Sequence, residues 1–243
     1  RPPGTPHGPL MSEAGCLLLE VQYFAARQMA PGGAFDPKAT PVGAAMPESA
    51  EANAGNDAAA LRRLMQARFS CRAFRPDPVP EAVTVEIVET ARWTASWSNV
   101  QPWEVIVTRP ETTAELARRL VAAAQSGQGG SDIPYPREYT GVTLARRREV
   151  GYGLYEALSI RRDDRAARRD HHLNNFRLFG APHVALITVP EELGAYGVLD
   201  VGAFVSSFML AARSLGVDTL AQAALAQQPE LIRSFFEIPP ERR

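Results

Sequence analysis

Arg68, Ser70 and Arg72 are the first residues whose types and spacing point to chemistry. In an extended segment alternate residues face the same way, so these three side chains would point toward one location. Guanidinium groups bind phosphate bidentately, and a hydroxyl adds a neutral donor. The pattern predicts an anion site with Phe69 and Cys71 between its ligands. Short runs of arginine and serine are also common on solvated surfaces, which is the alternative.

A second group of polar side chains lies on a loop that leads into a strand. It is the run Ser96-Trp97-Ser98-Asn99-Val100-Gln101-Pro102-Trp103. The amides of Asn99 and Gln101 offer both donors and acceptors to the edge of a heterocycle. Pro102 and Trp103 would hold that edge by fixing the entry to the strand. A turn that ends in a buried tryptophan explains the same residues.

The third group consists of small residues that follow a long apolar helix. Ala221, Gln222, Ala223 and Ala224 lie in the run Asp-Thr-Leu-Ala-Gln-Ala-Ala-Leu. Small side chains allow backbone amides to approach a planar ligand closely. A plain strand edge has the same composition, so this segment alone does not separate the two interpretations.

Helices dominate the elements that must position these groups. Hydrophobic periodicity and Pro, Gly and Asn/Asp signals predict helices over residues 58–67, 80–91, 110–124, 142–160, 164–178, 200–215 and 229–236. Strands are predicted over residues 103–108, 184–189 and 217–220. The helix over residues 200–215 is apolar nearly all round, which predicts burial on all sides. This order implies a three-layer α+β domain whose central helix packs on several elements.

Composition limits the classes of function. The chain has 243 residues, 45% hydrophobic and 22% charged, enough for one good-sized domain. We expect residues 1–56, rich in Pro, Gly and Ala, to be a disordered or non-native extension, and residues 57–243 to be the domain. A net charge of −1 does not favour nucleic acid as a partner. Cys16 and Cys71 form no CxxC pair, which indicates no zinc site and a cytoplasmic location. No uninterrupted apolar run has the length needed to span a membrane, so a membrane partner is not expected.

The three groups together resemble the nitroreductase family. Arg-x-Ser-x-Arg follows the first helix, Ser-x-Ser-Asn-x-Gln-Pro-Trp follows the second, and Gly-Val-Asp-Thr-x-Ala-Gln-Ala-Ala follows the long helix. The resemblance runs from about residue 56 to the end, and is strongest to nitroaromatic reductases with a long insertion, here residues 125–178. It implies a three-layer α-β-α nitroreductase-like fold with a mixed central sheet and a buried central helix. It also implies FMN as cofactor, NADPH or NADH as hydride donor, and a homodimer that shares the FMN site.

The resemblance assigns the candidate cofactor-binding residues to parts of FMN. The residues that match the phosphate and pyrimidine-edge positions are Arg68, Ser70 and Arg72, with Phe69 and Cys71 between them. The amides that match positions near the ring and ribityl chain are Asn99 and Gln101. The residues that match a segment reaching the partner subunit's flavin are Ala95, Ser96 and Trp97. The backbone stretch that matches the N5 and O4 side is Ala221, Gln222, Ala223 and Ala224. The long helix would be dimer core, so Phe208→Glu is expected to give a monomer without flavin.

The implied activity is hydride transfer from NAD(P)H to nitroaromatics, quinones or similar small acceptors by a ping-pong mechanism. The sequence contains no strand–GxGxxG–helix unit, so a separate nucleotide-binding domain is not expected. No catalytic side chain or metal ligand is expected either, because the cofactor carries the chemistry. A reductive dehalogenase or flavin-modifying enzyme of the same fold is an alternative, with residues 125–139 as a mobile lid. A non-catalytic flavin-binding fragment is another, because the family's C-terminal strand is expected to be missing. A structural dimerisation protein would leave the polar motifs without a purpose.

One charged segment of the predicted insertion has two interpretations. Arg161, Arg162, Asp163, Asp164 and Arg165 mix both signs, and further arginines follow in the same helix. A solvated helix face is the interpretation we favour. The less favoured one is that the arginines help to admit a phosphorylated nicotinamide. The adjacent His171-His172 pair is expected to lie on the surface and to bind no metal.

Overall fold

A computed structural model describes residues 48–127 and 129–243 of the chain. The helices in these residues are α1 (Glu48–Ala67), α2 (Glu81–Ala91), α3 (Pro110–Ser126), α4 (Gly141–Ala157), α5 (Arg165–Leu173), α6 (Gly194–Ser214) and α7 (Pro229–Phe236). The strands are β1 (Glu104–Val107) and β2 (Ala185–Thr188). This arrangement agrees with the predicted α+β class.

Local signals in the sequence explain where most helices begin. Pro110 and Pro229 each occupy the first turn of their helix, where the missing N–H has no intrahelical partner to lose. Asp164 caps α5 by accepting a hydrogen bond from the backbone N–H of Ala167 at 2.9 Å. These predicted starts are confirmed to within a residue.

The first helix differs from its prediction. It begins at Glu48, so Asn56 and Asp57 lie inside α1 and do not cap it. The predicted extension over residues 1–56 therefore overlaps this helix, and its remaining part, residues 1–47, lies outside the described residues. We propose that the domain includes all of α1, from Glu48 onward.

The sheet of the described residues is small and antiparallel. Glu104 of β1 pairs with Thr188 of β2, and Val107 pairs with Ala185. The predicted strand over residues 217–220 is wrong, because that segment makes a single parallel bridge, Thr219 to Ser70. The backbone N–H of Val217 still donates to the last turn of α6, which leaves little extended backbone free to pair.

Two hydrophobic clusters hold the elements together. One joins α3 to α7 and to the segment after α5, and its buried members are Leu116, Leu120, Phe176, Leu178 and Ile232. The other joins α2 to the carboxyl-terminal part of α6 through Ile87, Ala211 and Ala212, with Phe208 packed against it. Phe208 therefore contributes to the core of its own chain. We therefore expect Phe208→Glu to destabilise the subunit itself, because the new charge would enter this cluster.

Helix α6 is covered unevenly by its own chain. Phe204, Ala211 and Ala212 are buried, whereas the side chains of Tyr196 and Leu199 are 55% and 68% exposed. The burial on all sides that the composition predicts is thus not reached among the described residues, because one face of the amino-terminal part of the helix stays exposed there. The segment 191–214 also has the length and apolar composition that a membrane-crossing helix needs, a test that core helices pass as well.

Candidate functional site

The first group lies where α1 ends. The backbone N–H of Arg68 donates to Leu64 O at 2.9 Å, which closes the helix, and the chain then runs extended. Ser70 and Arg72 are exposed and Arg68 is half-buried. The Arg72 guanidinium donates to Ser70 O at 3.3 Å. The segment forms a parallel bridge at Ser70, and the side chains of Ser70 and Arg72 are accessible to an anion.

Phe69 and Cys71, the residues between these ligands, have different environments. Phe69 is 52% exposed, whereas Cys71 is buried, with Sγ 3.2 Å from Ala73 O. The backbone N–H of Cys71 donates to Thr219 O at 3.2 Å. Cys71 thus ties the first group to the segment after α6, and its thiol has a packing role.

The third group adjoins the first through this bridge between Ser70 and Thr219. Asp218 accepts an ion-paired hydrogen bond from Arg213 at 2.6 Å, which fixes the segment to the end of α6. The side-chain atoms Thr219 Oγ1 and Gln222 Oε1 are buried and have no hydrogen-bond partner among the described residues. Buried polar atoms are usually paired, so these two indicate that a further polar group belongs here.

Residues 129–139 lie against the third group. Tyr135 donates its hydroxyl to Ala223 O at 3.2 Å, and the backbone N–H of Gly130 donates to Gln227 O at 2.9 Å. Asp132 forms an ion pair with Arg233. A Cβ on Gly129 would be 2.6 Å from Gln227 O, so this close approach requires glycine. The segment predicted to be a mobile lid is therefore anchored at three points.

The second group is anchored at the opposite end of α6. The backbone N–H of Trp97 donates to both carboxylate oxygens of Asp200, at 3.0 and 3.2 Å. The Trp97 ring centroid lies 4.9 Å from that of Tyr196. Ser96 Oγ accepts from the backbone N–H of Gln101 at 2.9 Å. Sequence reasoning missed Asp200 as a member of this site, although a lone carboxylate in an apolar helix was the available signal.

The amides of the second group are held in a constrained loop. The Gln101 side chain donates to Asn99 Oδ1 at 3.0 Å, so the two amides form one pair. Ser98, Asn99 and Gln101 have φ values of 49°, 56° and 48°. Left-handed backbone is unfavourable for residues with a Cβ and is concentrated at functional sites. Ala95, Trp97, Asn99 and Gln101 are exposed, so this loop presents its polar atoms outward.

One chain does not bring all three groups together. Asp200 and Ser214 are separated along α6 by roughly 20 Å, from a rise of 1.5 Å per residue. The first and third groups lie at the carboxyl-terminal end of this helix, and the second group lies at Asp200. The described chain therefore contains two half-sites.

An apolar cavity of about 490 Å³ lies between β2, α6, α7 and the segment after α6. Thr219 and Gln222 are among its lining residues, but the remainder is mainly aliphatic, and Arg68, Ser70, Arg72, Asn99 and Gln101 do not contribute. A phosphate-bearing ligand needs charged donors that are free to bind it. The arginines that line this cavity, Arg233, Arg242 and Arg243, are each ion-paired with a carboxylate. We therefore place the candidate site at the surface around Ser70 and Thr219, and not in the cavity.

The end of α5 faces the first group. Burial lowers the pKa of His171 below its ordinary value of 6.5, and the positive charge of Arg72 lowers it further. The His171 ring lies 6.4 Å from the Phe179 ring, and Phe179 O accepts from the backbone N–H of Phe74 at 3.2 Å. These contacts connect α5 to the segment that carries Arg72.

The donor set suits a phosphorylated flavin. Arg68, Ser70 and Arg72 supply cationic and neutral donors for a phosphate. Thr219 Oγ1 and Gln222 Oε1 supply unpaired polar atoms beside them, of the kind that a heterocycle edge would satisfy. The residues present therefore fit FMN. The loop of residues 95–101, which carries Asn99 and Gln101 and is called the amide loop below, would make a second, separate contribution to binding.

Known proteins share both the sequence and the fold. A family model described as the nitroreductase family matches residues 65–243. The nitroreductase NfnB of Mycolicibacterium smegmatis is 36% identical over 73% of this chain and 76% of its own length. A 4-nitrobenzoate reductase of Pseudomonas putida is 31% identical over 72% of this chain and 77% of its own. A crystal structure of the FMN-dependent nitroreductase NfnB from Mycobacterium smegmatis in complex with NADPH superposes with a TM-score of 0.74, at 34% identity, over 76% of this chain and 84% of that one.

Proposed function

Because this chain belongs to the nitroreductase family, we propose that it transfers hydride from NAD(P)H to nitroaromatic compounds by way of bound FMN. The chain is an NAD(P)H-dependent flavin oxidoreductase, as its relatives are. We further propose that quinones and similar electron-poor molecules serve as acceptors and that the two reactants alternate at one face of the flavin. The protein is proposed to work in the cytoplasm.

The observation that carries this proposal is the bridge between Ser70 and Thr219. It brings together two segments that are distant in sequence and that have complementary chemistry. Arg68, Ser70 and Arg72 would hold the FMN phosphate, and the small residues after Thr219 would lie beside the flavin ring. Thr219 Oγ1 and Gln222 Oε1 would receive hydrogen bonds from the polar edge of the cofactor.

When bound, FMN would supply the two-electron chemistry that connects the hydride donor to the acceptor. The protein's own residues would bind and orient the two reactants and exclude water from the site. Tyr135 donates its hydroxyl to Ala223 O, and both Tyr135 and nearby Ile133 are about half exposed, so they would form the wall that an aromatic acceptor meets. Flat apolar and aromatic surfaces favour stacking of nitroaromatic rings.

The two half-sites support a shared site in a homodimer. Trp93, Trp97, Tyr196 and Leu199 are large exposed apolar residues on or beside the amino-terminal end of α6, and each is at least 55% exposed. Exposed apolar patches of this kind mark protein interfaces. We propose that the loop of residues 95–101 reaches the flavin held by the first and third groups of the partner subunit. Asn99 and Gln101 would then act across the interface.

An absorbance spectrum of the purified protein before and after anaerobic NADPH tests the activity. We expect a flavin band that bleaches on reduction and returns when a nitroaromatic compound is added. A flavin band that NAD(P)H never bleaches would favour the non-catalytic flavin-binding alternative. A colourless protein that takes up no added FMN would remove the proposal.

The phosphate assignment is tested separately with Arg72→Ala. We expect the purified variant to lose most of its FMN, because a hydrogen bond from a charged donor contributes about 1.5–3 kcal/mol. Arg75→Ala is the matched control, since Arg75 lies on the same segment but is ion-paired with Asp77 at 2.8 Å. Equal flavin content in both variants and in the parent protein would refute the role of Arg72.

A further inference from the structure

The segment that contains α4 and α5 is basic, unlike the chain as a whole. Residues 141–177 hold nine arginines against five carboxylates, a net charge of +4, while the full chain has a net charge of −1. Some of these arginines are neutralised locally: Arg161 pairs with Asp163 and Arg177 pairs with Asp170, both at 2.8 Å. The positive charge that remains in this segment lies on arginines that have no carboxylate partner among the described residues.

Arg162 and Arg168 are seated on tyrosine rings. The Arg162 guanidinium carbon lies 4.7 Å from the Tyr152 ring centroid, and the same guanidinium donates to the Tyr152 hydroxyl at 2.6 Å. The Arg168 guanidinium carbon lies 5.1 Å from the Tyr155 centroid. Among residues 48–127 and 129–243, no carboxylate is within ion-pairing distance of either arginine. A ring face orients a guanidinium without cancelling its charge.

The two arginines are also close to each other. Arg168 Nη1 donates to the backbone oxygen of Arg162 at 3.3 Å, so both guanidinium groups belong to one surface. Both side chains are exposed. Two adjacent, oriented and unneutralised guanidinium groups have the geometry that binds a phosphate monoester with several hydrogen bonds.

This surface is connected to the flavin site by direct contacts. The Tyr155 ring lies 6.2 Å from the His171 ring, which lies 6.4 Å from Phe179. Phe179 in turn accepts a backbone hydrogen bond from Phe74, two residues beyond Arg72. These contacts link the two arginines to the segment that carries Arg72, so a nucleotide with its reactive ring at the flavin would have a second anion site in the adjoining part of the domain.

We propose that Arg162 and Arg168, oriented by Tyr152 and Tyr155, bind the 2′-phosphate of NADPH and select NADPH over NADH. This inference rests on the proposed hydride transfer and adds the residues that choose the donor. Arg161, whose charge is neutralised by Asp163, contributes no specific contact to this phosphate. The FMN phosphate is held elsewhere, so changes at this surface leave the flavin content unchanged.

The test is a binding measurement that needs no turnover. Calorimetry on the FMN-loaded protein compares 2′,5′-ADP, which carries the 2′-phosphate, with 5′-AMP, which does not. We expect 2′,5′-ADP to bind at least about 10-fold more tightly, as the loss of charged hydrogen bonds would predict. The double variant Arg162→Gln/Arg168→Gln should lose that difference, and the single variants should lose part of it. Arg161→Gln, the matched control, should keep it.

Steady-state kinetics then separates this inference from the activity itself. For the double variant we expect kcat/KM to fall roughly 10- to 100-fold with NADPH and to stay unchanged with NADH. Equal binding of the two nucleotides by the parent protein, or an equal effect of Arg161→Gln, would overturn the phosphate site. Turnover with both donors at equal rates would do the same while leaving the proposed function intact. No turnover with either donor would count against the proposed function alone, because the binding measurement stands without it.

Discussion

The two ends of α6 have almost the same composition and opposite environments. At the carboxyl-terminal end, Ala211 and Ala212 pack against Ile87 and are almost completely buried. At the amino-terminal end, Tyr196 and Leu199 are more than half exposed although they are equally apolar. The first end belongs to the core of the chain. The second end is left partly uncovered by the described residues, and we propose that a second copy of the chain covers it.

This difference shows which contacts one chain supplies. The buried end positions the first and third groups next to each other through Ser70 and Thr219. The exposed end positions the second group through Asp200. Apolar side chains of the same helix are therefore buried in the subunit core at one end and exposed at the other, where we propose that they serve assembly.

The largest effect is expected from a charge at the buried end. Ala212→Glu should lower the free energy of unfolding by at least about 4 kcal/mol, because Ala212 has no exposed surface and the carboxylate would lack a partner. Denaturant titration measures the change. Ala82→Glu in the first turn of α2 is the control, with an expected change within about 0.5 kcal/mol. A tolerated Ala212→Glu would contradict the assignment of this end to the core.

A charge at the exposed end should act on assembly. Leu199→Glu is expected to shift the protein to monomers and to remove FMN, because about 1.5–3 kcal/mol of apolar burial would be lost in each subunit. Light scattering and the flavin-to-protein absorbance ratio report both effects. Val150→Glu on α4, where the side chain is 71% exposed, should change neither. Full flavin content in a proven Leu199→Glu monomer would end the shared-site proposal.

A smaller effect is expected where the exposed end holds the amide loop. Asp200→Ala removes the acceptor of the Trp97 backbone N–H and should weaken FMN binding several-fold, equivalent to about 1–2 kcal/mol. Asp200→Asn keeps one oxygen acceptor and should restore part of the affinity. The dissociation constant for FMN, measured by flavin fluorescence, shows whether the hydrogen bond to residue 200 contributes to FMN binding. Identical affinities for Ala and Asn variants would mean that this hydrogen bond does not position the loop.

The smallest effect concerns Arg72, which lies near the buried end of α6 and whose positive charge acts on His171 in α5. Burial and, second, Arg72 lower the pKa of His171 below 6.5, so below that pH the unfolded chain binds a proton that the folded chain resists. Stability consequently falls as the pH drops from 6.5 toward the folded pKa. Arg72→Ala should raise the pKa of His171 and reduce this loss, while Arg75→Ala should not. NMR titration of the His171 ring would reveal an unchanged pKa if the two groups do not interact.

Much of the fold could be predicted because its signals are local. Proline in the first turn of α3 and α7 and the Asp164 cap of α5 are read directly from neighbouring residues. The residue types of the three groups were also visible. The conformation of residues 217–220 could not be predicted, because strand-like composition does not show whether a partner strand is present.

The tertiary part of the site could not be predicted from local patterns. The pairing of Ser70 with Thr219 depends on how α6 and α1 pack, and the bond from Trp97 to Asp200 joins elements far apart in the chain. The arginine–tyrosine contacts also depend on the turn between α4 and α5, which places Arg162 over Tyr152. Composition indicated only a mixed-charge helix there.

The left-handed residues of the amide loop have a consequence for dynamics. An unfolded chain rarely has positive φ at Ser98, Asn99 and Gln101 at the same time, so closing this loop costs free energy that a few exposed hydrogen bonds must offset. Such a segment opens locally well before the helices unfold. Amide hydrogen exchange at Trp97 and Gln101 should therefore be fast in the free subunit and slow once a partner and its flavin close over the loop.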